Sequence, residues 1–190
     1  MTPISLGIFA SANQSAAATS FESIATVSVG SGGSSSISFT SIPATYAHLQ
    51  LRCIGRSSRT QNSGYAVISY NSDTGTNYSY HALTGDGSTA SAGGDASVSY
   101  QTLIYFPGAL RGSNIFGVGV VDILDYANTN KYKTLRVLDG YDSNGAGYSA
   151  LQSGSWRNTN AITSITITEY NSNNFVEYSH FALYGIKGAA

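Results

Sequence analysis

The hydrophobic pattern of this chain predicts a series of short β-strands. The segment FESIATVSV, which begins at Phe21, alternates its side chains between two faces, and SSISFT resumes the alternation after the turn GSGGS. Two alternating runs around a glycine-rich turn are typical of a β-hairpin. In HLQLRC, polar His48, Gln50 and Arg52 alternate with apolar residues, which predicts a strand with one wet and one dry face. No long stretch has the 3.6-residue period of a helix.

Further strands are predicted between clusters of Gly, Asn, Ser and Pro. They cover residues 65–70, 77–83, 97–106, 115–124, 133–138, 148–155, 162–170 and 179–184. The total of about ten or eleven short strands predicts an all-β sandwich or barrel. The connection 85–96, GDGSTASAGGDA, contains no large apolar residue, so it is predicted to be a mobile surface loop.

Residues 1–20 differ from the remainder, because they hold no charge and show no regular strand pattern. We predict an N-terminal arm over 1–20, followed by one sandwich domain over 21–190. Ile4, Leu6, Ile8 and Phe9 would expose apolar surface unless the arm packs against a neighbouring subunit or another surface. A frayed terminus is the alternative, since chain ends are often poorly ordered.

Charge and cysteine content restrict the class of protein. Nine basic and ten acidic residues give a net charge of −1, which disfavours nucleic acid as a partner. Cys53 is the one cysteine of the chain, so an internal disulfide is excluded and a buried, inert thiol is expected. No apolar run is long enough for a membrane helix. The N-terminus also lacks the basic start of a secretory signal, so we expect synthesis in a cytoplasm.

Candidate chemistry in the sequence is sparse. Two Asp/Asn/Gly segments, 71–75 and 139–145, resemble partial calcium loops, but neither is followed by the carboxylate that would complete one. Turns are the favoured interpretation of both, because Asp and Asn bond their own backbone. The histidines His48, His81 and His180 lie in strand-like segments without a nucleophile elbow. We therefore predict a protein that is not an enzyme and that uses no cofactor or metal.

Aromatic residues offer one binding hypothesis. Exposed rings beside Asn and Asp can stack on sugar faces, and the candidates for such a glycan contact are Tyr78, Tyr80, Tyr141 and Trp156. The favoured alternative is that these rings fill core edges and subunit interfaces, where an apolar ring and a polar tip both find partners.

Several segments resemble a pattern found in tailed-bacteriophage virion proteins. They are VSVGSGGSSSISFTSIPATYAHLQLR, YNSDTGTNYSYHALTGDGS and the ending HFALYGIKG. The pattern occurs in small virion-surface proteins and in distal domains of tail fibres, and it covers most of the chain after Phe21. The resemblance implies a jelly-roll-like β-sandwich that is frequently trimeric, and it carries no functional residues with it.

The resulting expectation is a structural virion protein. It would be made in the cytoplasm of a bacterial host and would decorate or cement a phage capsid as a homotrimer bound to the major capsid protein. The alternative is a receptor- or glycan-binding tip of a tail fibre, with host glycans or other tail proteins as partners. A secreted carbohydrate-binding module is a third hypothesis, disfavoured by the missing secretory signal.

Overall fold

The computed structural model describes residues 20–188 of the chain, and these residues contain twelve β-strands. In chain order they are β1 Phe21–Ser28, β2 Ser36–Phe39, β3 His48–Gly55, β4 Ser63–Tyr70, β5 Tyr78–Gly85, β6 Ala90–Val98, β7 Gln101–Pro107, β8 Gly117–Leu124, β9 Lys133–Asp142, β10 Gly147–Trp156, β11 Ile165–Glu169 and β12 His180–Ile186. The described residues contain no α-helix and a single 3₁₀ turn at Tyr170–Ser172. The predicted all-β class is therefore confirmed.

The strands pair from the two ends of the chain inward. β1 pairs with β12, β2 with β11, β3 with β8 and β4 with β7, and every pair is antiparallel. β1, β12, β3 and β8 form one side of the sandwich, while β2, β11, β4 and β7 form the other. This nested pairing is the arrangement of a jelly roll, in which a long antiparallel hairpin rolls into two facing sheets.

Two inserted hairpins widen one of the sheets. The β5–β6 hairpin lies between β4 and β7 in the chain, and the β9–β10 hairpin lies between β8 and β11. Both add to the edge at β8, which gives an eight-stranded sheet in the order β1-β12-β3-β8-β9-β10-β5-β6. The opposite sheet keeps four strands in the order β2-β11-β4-β7.

The core lies between the two sheets and follows the predicted alternation. Leu49 and Leu51 of β3 are fully buried, whereas Arg52 points to solvent. The same alternation continues along β9, where Leu135 and Val137 are buried. The largest fully buried aromatic side chains are Trp156, Tyr70, Tyr78, Tyr126, Phe106, Phe175 and Phe181.

The predicted loop at 85–96 is wrong, because most of it belongs to β6. Residues Ala90–Val98 pair with β5, with one bulge at Ser97. The turn before β6 is set by Asp86, whose Oδ1 accepts hydrogen bonds from the amides of Ser88 and Thr89 at 2.9 and 2.7 Å. β6 is held by backbone pairing to its neighbour and not by burial of its side chains, so it has no hydrophobic signature.

A buried lysine anchors the connection that follows β8. Lys133 is 1% exposed, and its Nζ donates to the carbonyl oxygens of Asn128, Lys131 and Thr159 within 3.0 Å. The ammonium therefore satisfies three backbone acceptors that belong to two separate loops. A buried charge is tolerated only when such hydrogen bonds replace its hydration.

We predict that Lys133→Met destabilises the fold by about 2–4 kcal/mol, because it leaves three carbonyl groups without their donor. Lys131→Met is the matched control. Its ammonium pairs with Asp125 at the surface and is 55% exposed, and such pairs contribute about 1 kcal/mol or less. Urea unfolding of both variants provides the measurement. Equal losses of stability in the two variants would contradict the anchoring role.

Candidate interaction surface

Two of the predicted glycan-binding rings belong to the core. Tyr78 and Trp156 are fully buried and pack with each other and with Tyr70 at ring-centroid distances of 5.4–6.4 Å. The Trp156 indole donates to Asp73 Oδ2 at 2.7 Å, and the Tyr78 hydroxyl donates to the Asp73 carbonyl at 3.1 Å. No ring face is left for a sugar, so the structure corrects the glycan assignment of both residues.

The other two predicted rings differ from each other. Tyr141 is 8% exposed, and its hydroxyl donates to the Asn62 carbonyl, so its face is also unavailable to a ligand. Tyr80 is partly exposed, and its hydroxyl donates to Asp95 Oδ2 at 2.8 Å. Of the four predicted rings, Tyr80 alone remains accessible.

The Asp/Asn/Gly segments form turns. The Asp73 carboxylate accepts from Trp156, from the Asn77 amide group and from the Gly75 backbone, so its oxygens are engaged. Asp142 Oδ1 accepts from the Asn144 amide in the β9–β10 hairpin turn. Within residues 20–188, no three His, Cys, Asp or Glu side chains come together as metal ligands.

The remaining sequence predictions concern the thiol and the arm. Cys53 is buried, as predicted, and burial raises the pKa of its thiol well above the ordinary value, which keeps it protonated and unreactive. Ile4, Leu6, Ile8 and Phe9 lie outside the described residues, so the docking of the arm stays a prediction. No helix in the described part of the chain is long and apolar enough to cross a membrane.

Four apolar side chains form a row across the outer face of the eight-stranded sheet. Leu83 in β5 lies opposite Leu151 in β10. Leu151 lies opposite Leu138 in β9, which lies opposite Val120 in β8. Leu138 is 63% exposed and Leu83 is 56% exposed. Directly paired side chains on one face are close neighbours, so the row is continuous.

A second row lies beside the first and enlarges the apolar surface. Val118 in β8 lies opposite Ile54 in β3 and opposite Gly140 in β9, which in turn lies opposite Ser149 in β10. Because Gly140 and Ser149 are small, the surface forms a shallow depression of about 570 Å³ next to Leu138. We call the exposed apolar residues of both rows the apolar band: Leu83, Leu151, Leu138, Val120, Val118 and Ile54.

A polar row borders the apolar band. Gln50, Asp122, Arg136, Ser153 and His81 lie opposite one another across five strands. The Gln50 amide donates to Asp122 Oδ1 at 2.8 Å. An apolar centre with a polar margin is the composition found at the core and rim of protein interfaces.

A line of tyrosines that sequence reasoning missed connects the two sheets at their edge. The hydroxyls of Tyr100 and Tyr170 are 2.9 Å apart, and the rings of Tyr170 and Tyr65 stack at 4.6 Å. Tyr105 contacts Tyr65 on one side and Tyr148 on the other, at 5.9 and 4.6 Å. All five rings are partly exposed. Burial, together with the hydrogen bond to Tyr170, raises the pKa of Tyr100 to about 12, so its hydroxyl stays protonated at neutral pH.

A buried carboxyl joins the two sheets beneath the apolar band. Asp139 of β9 is 6% exposed, and its Oδ2 accepts the backbone amide of Tyr105 in β7 at 2.8 Å. Its Oδ1 accepts from Gln152 Nε2 at 3.2 Å. Burial raises the pKa of Asp139 from its ordinary 3.8 to about 6, and these two hydrogen bonds offset the rise in part.

The apolar band had a signal in the sequence. In GVGVVDIL of β8 and in LRVL of β9, apolar residues occur on both faces of the strand, whereas a strand with one exposed face has them at alternate positions. Such runs are typical of strands that are covered on both sides. In the described structure the inner face is covered and the outer one is not.

No protein-family model matches this chain, and neither a curated protein nor a solved structure shows a significant match to it.

Asp139 gives a testable pH dependence. Its folded-state pKa lies above its unfolded value, so its contribution to stability is present below pH 4 and is lost as pH rises through about 6. The asparagine introduced by Asp139→Asn is neutral at every pH. We therefore predict that the free energy of unfolding of this variant, relative to that of the unmodified protein, rises by about 3 kcal/mol between pH 4 and pH 7. Denaturant unfolding at both pH values measures the change.

Asp142→Asn is the matched control, because Asp142 is exposed on the same strand and its substitution keeps the turn hydrogen bond. A stability difference for Asp139→Asn that does not vary with pH would contradict the prediction.

Proposed function

We propose that this chain is a structural protein of a tailed-phage particle, which decorates or cements the capsid surface as a homotrimer. The observation that carries the proposal is the apolar band. Its six side chains lie side by side on the five adjacent strands β3, β8, β9, β10 and β5, and all are at least 37% exposed. A contiguous apolar surface of this kind marks an interaction site with a macromolecule.

The shape of the surface favours a protein partner over a small substrate. Small-molecule sites are concave and enclose most of their ligand. The apolar band is instead the outer face of a sheet, and its depression is floored by Gly140 and opens to solvent. A broad, gently curved face suits a partner that is itself a protein surface, and we propose the major capsid protein.

The architecture and the sequence resemblance support the virion assignment together. Jelly rolls recur in viral capsid and lectin domains, and the segments that resemble phage virion proteins fall on β1–β3, β5 and β12. A fold class does not by itself define a function. The proposal therefore rests on the apolar band, to which the resemblance adds the setting: synthesis in the bacterial host cytoplasm and assembly onto the virion.

A glycan-binding tail-fibre tip is the second candidate, and the tyrosine line favours it. Five partly exposed rings can stack on sugars and form hydrogen bonds with the sugar hydroxyl groups. The Arg59 guanidinium lies 5.9 Å from the Tyr65 ring centroid and adds a donor beside the line. On this hypothesis the tyrosine line, and not the apolar band, faces the ligand.

The first function predicts that Leu138→Gln combined with Leu151→Gln weakens attachment to capsids that lack this protein. Loss of the two leucines removes about 3 kcal/mol of binding free energy, which is roughly 100-fold in affinity. The matched control combines Thr134→Gln with Ser155→Gln, which change two paired polar positions on the same two strands, outside the apolar band and the polar row. Co-sedimentation with purified particles measures the bound copies.

Undiminished attachment of the leucine variant would refute the role of the apolar band.

The glycan hypothesis is tested on the same preparations with Tyr65→Ala and Tyr170→Ala. The tail-fibre function is favoured by two results together: the tyrosine variants lose binding to host-surface glycans, and the leucine variant attaches to particles as the unmodified protein does. A particle that contains many copies per capsid favours decoration, and one with few copies favours a fibre.

A further inference from the structure

β6 is the outermost strand of the wider sheet, and its outer edge and both of its faces are exposed. It pairs with β5 along one edge only, and eight of its nine residues are exposed. The outward backbone groups of such a strand are available to pair with another strand. Natural proteins usually protect an exposed edge with charged side chains, proline, a bulge or a very short strand.

The other three sheet edges in the described residues carry such protection. β1 is interrupted by a bulge between Ser23 and Ala25, and its Glu22 forms an ion pair with Lys187. β2 is four residues long. On β7, the Tyr105 amide already donates to Asp139. β6 also has a bulge, but it lies at Ser97 near the C-terminal end of the strand. Ala90–Ala96 therefore form a regular seven-residue edge without an interruption, which is longer than β2 and, unlike β1, is not broken near its centre.

The side chains of β6 leave space for a larger neighbour. Its sequence is ASAGGDASV, and its one charge, Asp95, accepts a hydrogen bond from Tyr80. A Cβ atom built on Gly93 would meet no atom within 4 Å. Gly93 faces the side of the sheet opposite to Ala92. On the outer face, Ala92 is small, so large side chains of an added strand can lean over β6 towards Leu83, which lies opposite Ala92 and is exposed at the end of the apolar row.

The N-terminal arm has the sequence that such a strand requires. Ile4, Leu6 and Ile8 occur at every second position, and residues 1–19 contain no charge. A period of two places the three side chains on one face of an extended strand. We propose that the arm of a neighbouring copy pairs with β6 as a ninth strand of the eight-stranded sheet. This inference rests on the proposed homotrimer and names the contact that forms it.

The positions of the two edges favour a neighbouring copy over the same chain. The arm leaves the sheet at β1, and β6 lies seven strand spacings away, about 34 Å. On a direct path to its own β6, about ten residues of the arm would cross the strands of the sheet, where their backbone groups would lack ladder partners. Nineteen extended residues span about 60 Å, so the arm can extend well beyond the roughly 34 Å width of its own sheet.

Arm exchange of this kind also gives closed symmetry. The arm of one subunit meets the β6 edge of the next, so the two contacting surfaces differ. Head-to-tail contacts of this type close into a ring when the rotation permits. Three copies are the proposed ring, and each subunit then gives one arm and receives one.

Disulfide trapping in the full-length chain tests the contact directly. Ala92→Cys is combined in turn with Ile4→Cys, Leu6→Cys or Ile8→Cys, which samples the pairing register. We expect at least one pair to form covalent dimers and trimers on a non-reducing gel, with peptide mapping that joins the arm to β6. Each single-cysteine variant is a control, and native Cys53 is buried and stays unreactive.

A disulfide within one chain, without a ladder of higher mass, would overturn the exchange between copies. Absence of any arm–β6 disulfide in all three double variants would overturn the contact itself.

Edge protection provides an independent test. Gly93→Lys places a charge on β6 in open space, and we expect the apparent dissociation constant of the trimer to rise by about tenfold or more in analytical ultracentrifugation. Ser28→Lys is the matched control, because it puts the same charge on the exposed edge strand β1. Thermal unfolding should show that the Gly93→Lys and Ser28→Lys variants have equal folded-state stability.

The outcomes separate this inference from the proposed function. If the unmodified protein sediments as a monomer, the homotrimer is wrong and the inference is wrong with it. If it sediments as a trimer that Gly93→Lys leaves intact, the inference fails while the trimer stands. Dissociation by Gly93→Lys but not by Ser28→Lys supports both.

Discussion

Four strands of the smaller sheet cannot cover eight strands of the larger one, so β9 and β10 bury their inner faces against the edge of the smaller sheet and β6 remains exposed. β7, at the edge of the small sheet, lies across this region. It is tied to β9 through the Tyr105 amide and Asp139, and to β10 through Gln152, whose Nε2 donates to the Leu103 carbonyl at 3.0 Å. Further along, Trp156 and Tyr78 fill the space and pack on Tyr70.

This mismatch explains why polar side chains are buried where the sheets diverge. An apolar side chain in place of Asp139 or Gln152 would leave the backbone groups of β7 without partners, and such groups are costly to bury. The neighbouring Gln101 occupies the place of a side chain on Gly154, since a Cβ there would lie 1.8 Å from Gln101 Nε2. A glycine in β10 is thus required for the wide sheet and the narrow sheet to meet.

Sequence patterns were sufficient for the class of fold and for most strands, because alternation reports the burial of one face, as at Leu49 and Leu51. They failed at β6, whose residues Ala90–Val98 are held by backbone pairing and carry no apolar period. They left Tyr78 and Trp156 open between a glycan contact and the favoured packing role, because their strand segments do not show which face the small sheet covers. The apolar band was missed for a related reason. Leu83, Leu138 and Leu151 come from two hairpins far apart in the chain, and only strand order brings them together.

The inserted hairpins carry the features that distinguish this sandwich from an eight-stranded jelly roll. The nested pairs β1–β12, β2–β11, β3–β8 and β4–β7 would close without them, with β8 as the free edge. With them, the sheet gains the leucines of the apolar band and ends in the open strand β6. Fold and proposed interactions therefore depend on different segments: the nested strands bury the core, while the additions offer one face and one edge. Substitutions at Leu138 or Gly93 can alter assembly and leave the core intact for that reason, because neither side-chain position contributes to packing between the sheets.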